Sequence, residues 1–278
     1  MLTKRQLKEF WKETDFRPLK KLGQNFLIDK NIFDKISAIL DQGVKKKDPV
    51  IEIGAGFGAL TFLLSGLAGS VFAVEKDKKI IESLKKRMGL PDNVTLIEGD
   101  FLKLDIEKIA GGDKLIVYGN IPYYITSPIL EKLFENSRHI KTIYLVVQEE
   151  MAARILSGPG SRGIGRLSLF VQYYANPKKI FKIKKESFFP VPEVDSVFLQ
   201  LDMREKRRPE VKNEALFFDI IRKAYSQRRK TLLNSLSELK KDKKELLALL
   251  IKCGVNPTAR AEKLTLEDFG RIANTLLD

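Results

Sequence analysis

Short apolar runs rich in Val and Ile recur through the first 200 residues. They lie at Val50–Ile53, Ser70–Val74, Val94–Ile97, Leu115–Tyr118 and Ile143–Val147, bounded by Gly or polar residues. Runs of that length and composition predict buried strands. The stretches between them place apolar residues at helical spacing, as Ile80, Ile81 and Leu84 do within Lys78–Arg87. Strands alternating with helices predict βαβ units and a parallel, doubly wound sheet of the α/β class. Two further runs, Lys179–Lys184 and Val194–Asp202, complete the expected sheet.

The pattern changes after Leu201. Arg204–Pro209 is charged, ends in Pro and reads as a linker. Beyond it only helical periodicity appears, over Glu214–Ala224, Arg229–Leu239, Lys243–Cys253 and Leu266–Leu277. The expected division is one domain over 1–202 and a small all-helical domain over 203–278.

Hydrophobic residues make up 44% of the 278 residues, enough to bury a substantial core. The net charge of +14 favours a polyanionic partner, either nucleic acid or an acidic membrane face. The final 78 residues hold 18 Lys and Arg against 12 Asp and Glu, so the helical part is the more densely basic. The N-terminus lacks the apolar stretch of a signal peptide, and no run of about 18 apolar residues occurs. The expectation is a cytoplasmic protein with no membrane partner. Cys253 and His139 are single, so no internal disulfide or Cys/His zinc cluster is expected and no metal is assigned.

Candidate chemistry gathers at the strand ends, where open α/β sheets bind ligands. Ile51 to Gly58 (IEIGAGFG) follows a strand and opens a helix, so Gly54 and Gly56 permit a tight turn and close ligand approach. Gly54, Gly56 and Ala59 also fit a dinucleotide fingerprint, which leaves the cofactor open at this point. Glu75, 21 residues after Gly54, is placed to accept hydrogen bonds from ribose hydroxyls. Asp100, 25 residues further on, is placed to meet the 6-amino group of an adenine. These features indicate an adenosine-bearing ligand without naming a reaction.

Asn120-Ile121-Pro122-Tyr123 discriminates further. The lone pair of an exocyclic adenine amine is delocalised into the ring, which makes the nitrogen a poor nucleophile. An Asn oxygen and a backbone carbonyl can accept its two N–H bonds and meet the developing charge with preorganised dipoles. Pro122 stiffens the backbone, and Tyr123 offers a face on which an extruded base can stack. No histidine base is needed, because the proton becomes acidic once the nitrogen is methylated. Phe188 sits in a loop stiffened by Pro190 and Pro192. Arg228, Arg229 and Lys230 are candidate phosphate contacts on the basic appendage.

With these motifs the chain resembles the small-subunit ribosomal RNA adenine N6,N6-dimethyltransferase family. The resemblance runs from about Lys20 to the C-terminus. It rests on Leu22 to Leu27 (LGQNFL), the glycine loop, Asn120 to Tyr123, Phe188 to Ser196 (FFPVPEVDS), Arg228 to Leu232 (RRKTL) and Pro257 to Glu262 (PTARAE). It implies a Rossmann-like class I methyltransferase domain that uses S-adenosylmethionine. It further implies that Gln24, Asn25 and Leu27 close over the cofactor, Gly54 lines its methionine end, Glu75 holds its ribose and Asp100 meets its adenine. Asn120 would lie between cofactor and target, with Tyr123 and Phe188 sandwiching the base. The implied substrate is a pair of adjacent adenines in the 3′-terminal hairpin loop of small-subunit rRNA, within an assembling ribosomal subunit, and the protein is expected to be monomeric. Three alternatives stand beside this reading: a large-subunit adenine methylase of the antibiotic-resistance type, a non-catalytic assembly factor, and an NAD-dependent dehydrogenase. The PTARAE motif argues against the first, the intact Asn-Ile-Pro-Tyr against the second, and Asn120 with the basic tail against the third.

Overall fold

The computed structural model describes residues 3–14, 16–18, 23–87, 89–122, 125–227, 229–239 and 242–278, the side chain of Arg87 excepted. Along the chain run α1 (Lys4–Thr14), β1 (Phe26–Leu27), α2 (Lys30–Gly43), β2 (Pro49–Ile53), α3 (Ala59–Leu67), β3 (Ser70–Glu75), α4 (Lys78–Arg87) and β4 (Val94–Glu98). There follow α5 (Ile106–Ala110), β5 (Leu115–Asn120), α6 (Thr126–Glu135), β6 (Ile140–Gln148), α7 (Glu149–Leu156), α8 (Arg166–Tyr174) and β7 (Ala175–Ile183). The remainder comprises β8 (Phe188–Phe189), β9 (Ser196–Met203), α9 (Glu214–Ser226), α10 (Leu232–Ser235), α11 (Lys243–Lys252) and α12 (Leu266–Thr275).

Two compact units result, one formed by 1–152 with 178–203, the other by 153–177 with 204–278. The first holds a seven-stranded sheet of order β4-β3-β2-β5-β6-β9-β7. Strands β2 to β6 pair in parallel, each at the position its apolar run predicts. The sheet is mixed rather than wholly parallel, because β9 returns antiparallel against β6, from Thr142↔Asp202 to Gln148↔Ser196. Strand order reverses at β2, which has β3 on one side and β5 on the other. That reversal opens a crevice at the carboxyl ends of β2, β3 and β5. Ile36, Leu40 and Leu64 from the helices bury their side chains with Val50, Val71, Ile116 and Phe198 of the strands. The amphipathic stripe of α4 is used as its spacing predicts, with Ile80, Ile81 and Leu84 each at most 2% exposed.

The second unit is helical and joined by aromatic packing. Phe170 and Tyr173 of α8 meet Phe218 and Phe217 of α9 at ring-centroid separations of 5.2 and 5.0 Å. The Tyr174 hydroxyl donates to the Glu214 carboxylate at 2.5 Å. These contacts assign 153–177 to the helical unit, whereas the sequence division at 202/203 placed it with the sheet. The second crossing of the chain, between 203 and 204, falls one residue from the expected one. Arg204–Pro209 is also less of a free linker than its composition implies. Arg204 donates from its backbone to the Tyr174 carbonyl and from its side chain to that of Gln172, and Arg207 pairs with Glu214.

One expected helix is shorter. Periodicity predicts helix from Arg229, but α10 begins at Leu232, after Thr231 in an extended conformation. In a continuous helix Leu232 and Leu233 would donate to the carbonyls four residues back. They donate instead to the carbonyls of Ala259 and Pro257. Long-range hydrogen bonding therefore overrides local propensity, and Arg229 and Lys230 occupy a turn. Cys253 is a buried core residue whose thiol meets Thr275 Oγ1 at 3.4 Å. Among the described residues no helix is long and apolar enough to cross a membrane.

Candidate active site

The glycine loop is pinned to the neighbouring strand. Gly54 and Ala55 both donate to the Val74 carbonyl, at 2.9 and 3.0 Å, and Gly58 donates to Ala55. Gly54 has φ +80°, and a Cβ placed there would meet nothing within 4 Å, so its bare Cα edge faces open space. That space is a cavity of about 190 Å³ within the first unit. Its walls include Gln24, Asn25, Leu27, Gly54, Gly56, Glu75, Asp100 and Asn120, every residue expected to hold the cofactor. Residues spread over 97 positions are thus gathered by strand ends and by one N-terminal segment.

Glu75 closes β3 and is only 9% exposed. Its Oε2 accepts from Gly56 N–H at 2.9 Å, and its Oε1 accepts from Lys76 and Asp77 N–H at 2.8 and 2.9 Å. Burial pushes its pKa up, and the three backbone donors oppose that. A carboxylate has about four acceptor sites, so three are committed to shaping the loop and one is left for a ligand hydroxyl. Asp77 extends this network: its Oδ1 caps α4, and its Oδ2 accepts from Gln24 Nε2 at 2.9 Å. Gln24 is thereby tied to the strand end on which the ribose is expected.

Asp100 caps the short turn after β4 by accepting from Leu102 N–H at 3.0 Å, and its other oxygen pairs with Lys76 Nζ at 2.9 Å. The lysine holds its carboxyl below the usual range, so Asp100 is an anionic acceptor at the cavity wall.

Asn120 ends β5, and its Nδ2 donates to the Asn25 carbonyl at 3.2 Å. A carbonyl can only accept, so the atom facing it must be the amide nitrogen. The amide oxygen consequently faces the other way, and among the described residues nothing donates to it. The strand end and the N-terminal segment are also in steric contact. Gly23 has φ +58°, and a Cβ there would lie 2.8 Å from Pro122 Cβ, so the approach requires glycine. Asn25 also bonds back to the Gly23 carbonyl at 3.1 Å.

One expected site residue, Phe188, differs from this pattern, and two others are outside it. Tyr123 lies outside the described residues, as does Arg228 of the basic cluster. Phe188 is 3% exposed and packs in the core with Leu40, Ile183 and Phe198, and it is not among the cavity walls. The reason is the two-stranded β1–β8 ladder, which pairs Leu27 with Phe188 and Phe26 with Phe189. Successive strand residues point to opposite sides, so one ring turns into the core and the other turns away from it. Arg229 and Lys230 are exposed in the second unit.

Glu52 was not singled out in the sequence, although a carboxyl within the apolar run Val50–Ile53 is a local inconsistency that marks it. It lines the cavity at 1% exposure, and Thr61 Oγ1 donates to it at 2.5 Å. Burial pushes its pKa up to about 8. Leu7 of α1 and Lys76 complete parts of the wall that no motif indicated.

The donor set discriminates between cofactors. A dinucleotide site turns glycine-loop N–H groups towards a pyrophosphate. Here the N–H groups of Gly54, Ala55 and Gly56 are already committed to Val74 and Glu75. Lys76 is the one Lys or Arg lining the cavity among the described residues, and it is paired with Asp100. A wall with acceptor carboxyls at Glu75 and Asp100 suits an adenosine cofactor with a cationic sulfonium and an ammonium group, and S-adenosylmethionine fits it. The pyrophosphate of a dehydrogenase cofactor would find the N–H groups of Gly54, Ala55 and Gly56 already occupied.

Known proteins agree with that chemistry. The ribosomal RNA adenine dimethylase family matches residues 16–278. A ribosomal RNA small subunit methyltransferase A from Alkaliphilus oremlandii is 40% identical over 98% of this chain and 96% of its own length. The crystal structure of a dimethyladenosine transferase from Plasmodium falciparum superposes with a TM-score of 0.76 at 30% identity, covering 89% of this chain and 95% of that one. The 23S rRNA methyltransferase ErmE superposes at 0.71 and 25% identity over 91% of this chain and all of its own. The chain belongs to the ribosomal RNA adenine dimethylase family.

Proposed function

We propose that the chain dimethylates two adjacent adenines at N6 in the 3′-terminal hairpin loop of 16S rRNA while the small subunit is being assembled, acting as a cytoplasmic monomer. Family membership carries the coarser statement: the chain is an S-adenosylmethionine-dependent rRNA adenine N6-dimethyltransferase. The bound cofactor supplies an electrophilic methyl group. Asn120 does the work at the acceptor. With its nitrogen held by Asn25, its oxygen is fixed in advance as an acceptor for an adenine N6–H, so no reorganisation is needed as charge develops. The Pro122 carbonyl is occupied by Ile125 N–H and Thr126 Oγ1, which stiffens the segment beyond Asn120. Tyr123 and Phe188 complete the proposed site as a clamp on the extruded base. The buried Phe188 ring supports this only by its place beside Leu27 and must be uncovered when the base arrives. Loop adenines suit such a site, since an unpaired base costs less to extrude than one in a duplex.

The orientation of the Asn120 amide is the observation that carries this reading. Mass spectrometry of rRNA from a strain deleted for this chain, with and without complementation, tests it. N6,N6-dimethyladenosine at two adjacent 3′-terminal positions of 16S rRNA should vanish and return. The superposition on ErmE favours one second reading, methylation of large-subunit rRNA, and the same spectra would locate the missing mark there instead.

A further inference from the structure

The outer side of α1 and the loop after β8 share a face that nothing above employs. α1 turns Leu7 and Phe10 inward, while Lys4, Lys8 and Lys12 are exposed. Lys4 Nζ lies 5.2 Å and Lys8 Nζ 5.9 Å from the centroid of the Phe189 ring. The same ring stacks on Trp11, with centroids 4.9 Å apart and planes 12° from parallel. Among the described residues neither ammonium has a carboxylate partner, and the nearby Arg5 and Glu9 pair with each other. Like charges four residues apart on a helix repel, so two ammonium groups gathered over one ring form a locus that an anion would relieve. The chain then continues from Phe189 into Val191 and Val194, 53% and 42% exposed, an apolar shelf next along the loop. Its position is also defined: Phe189 pairs with Phe26, a cavity-wall residue adjacent to Asn25.

Cations alone fit any polyanion. Cations interleaved with flat rings and an apolar shelf fit single-stranded nucleic acid, which offers phosphates to the first and base faces to the second. We propose that Lys4 and Lys8, with Trp11, Phe189 and Val191, clamp the single-stranded RNA flanking the methylated adenine. The two ammonium groups hold a backbone phosphate, and the shelf carries the neighbouring base. This rests on the reading of rRNA as substrate.

The test is a Lys4→Gln/Lys8→Gln double variant of the full chain, assayed on small ribosomal subunits from a strain lacking the modification. KM for subunits should rise several-fold, with kcat and S-adenosylmethionine affinity unchanged. The slope of log affinity against log salt should flatten by about 0.7 for one single-strand phosphate. Lys4→Arg/Lys8→Arg should restore both, and Val191→Ser should weaken binding without changing the slope. An active wild type with an unaltered KM and slope in the Gln variant overturns the inference and leaves the substrate reading intact. A loss confined to kcat or cofactor affinity also overturns it, by showing that α1 serves the cleft instead. A wild type that methylates no rRNA overturns both.

Discussion

The ends of β2, β3 and β5 and the turn before α10 carry charge in opposite ways. At the strand ends almost every polar atom is already held. Glu75 accepts three backbone N–H groups, the glycine loop is tied to Val74, and the Asn120 amide is oriented by Asn25. In the turn, Arg229 and Lys230 are exposed, and among the described residues their side chains have no fixed partner. The difference follows from the tasks. Stabilising charge that develops on one nitrogen requires an acceptor fixed before the reaction. Attracting phosphates requires only charge density at the surface, since that interaction is long-ranged and tolerant of geometry.

Substitutions can break this comparison. Asn120→Ala should have the largest effect, lowering the single-turnover methyl-transfer rate at saturating cofactor by about 10²–10³. RNA affinity measured in parallel should hardly move; a near-normal rate would remove the amine-orienting role from Asn120. Glu75→Ala should weaken cofactor binding by about 10–100-fold in calorimetric titration, the worth of a hydrogen bond to a charged acceptor. It should also lower the melting temperature, because three backbone donors lose their partner.

Glu52 sharpens the contrast through pH. Its folded pKa of about 8 exceeds the ordinary value of 4.5, so the native state retains a proton that the unfolded state has lost. Its contribution to stability is full below about pH 4.5 and is lost as pH rises towards 8, by up to about 1.4 kcal/mol per pH unit. Glu52→Gln cannot ionise, so denaturant titrations between pH 5 and 8 should show a flatter dependence than wild type. Identical slopes would mean that the carboxyl is ionised throughout. The smallest effect is expected for Arg229→Ala/Lys230→Ala. Here the salt slope of RNA binding should flatten by up to about 1.8 if each contacts a duplex phosphate, with the saturated methyl-transfer rate unchanged. A changed rate with an unchanged slope would give the turn a part in catalysis.

The sequence by itself determined the strands β2 to β6, the switch to helices near residue 203, and Gly54, Gly56, Glu75, Asp100 and Asn120 at the strand ends that line the cavity. Each rests on local signals: apolar period, turn chemistry, and a polar residue where a strand must end. Only the tertiary structure decided the rest. It placed 153–177 with the helical unit through Phe170 and Tyr173, and it broke the helix expected at Arg229 by offering Leu232 and Leu233 distant carbonyls. It also turned Phe188 into the core, buried Glu52 at the cavity wall and stacked Trp11 on Phe189. These outcomes depend on partners far away in the chain, and local periodicity carries no information about which distant group will satisfy a backbone donor or cover a ring.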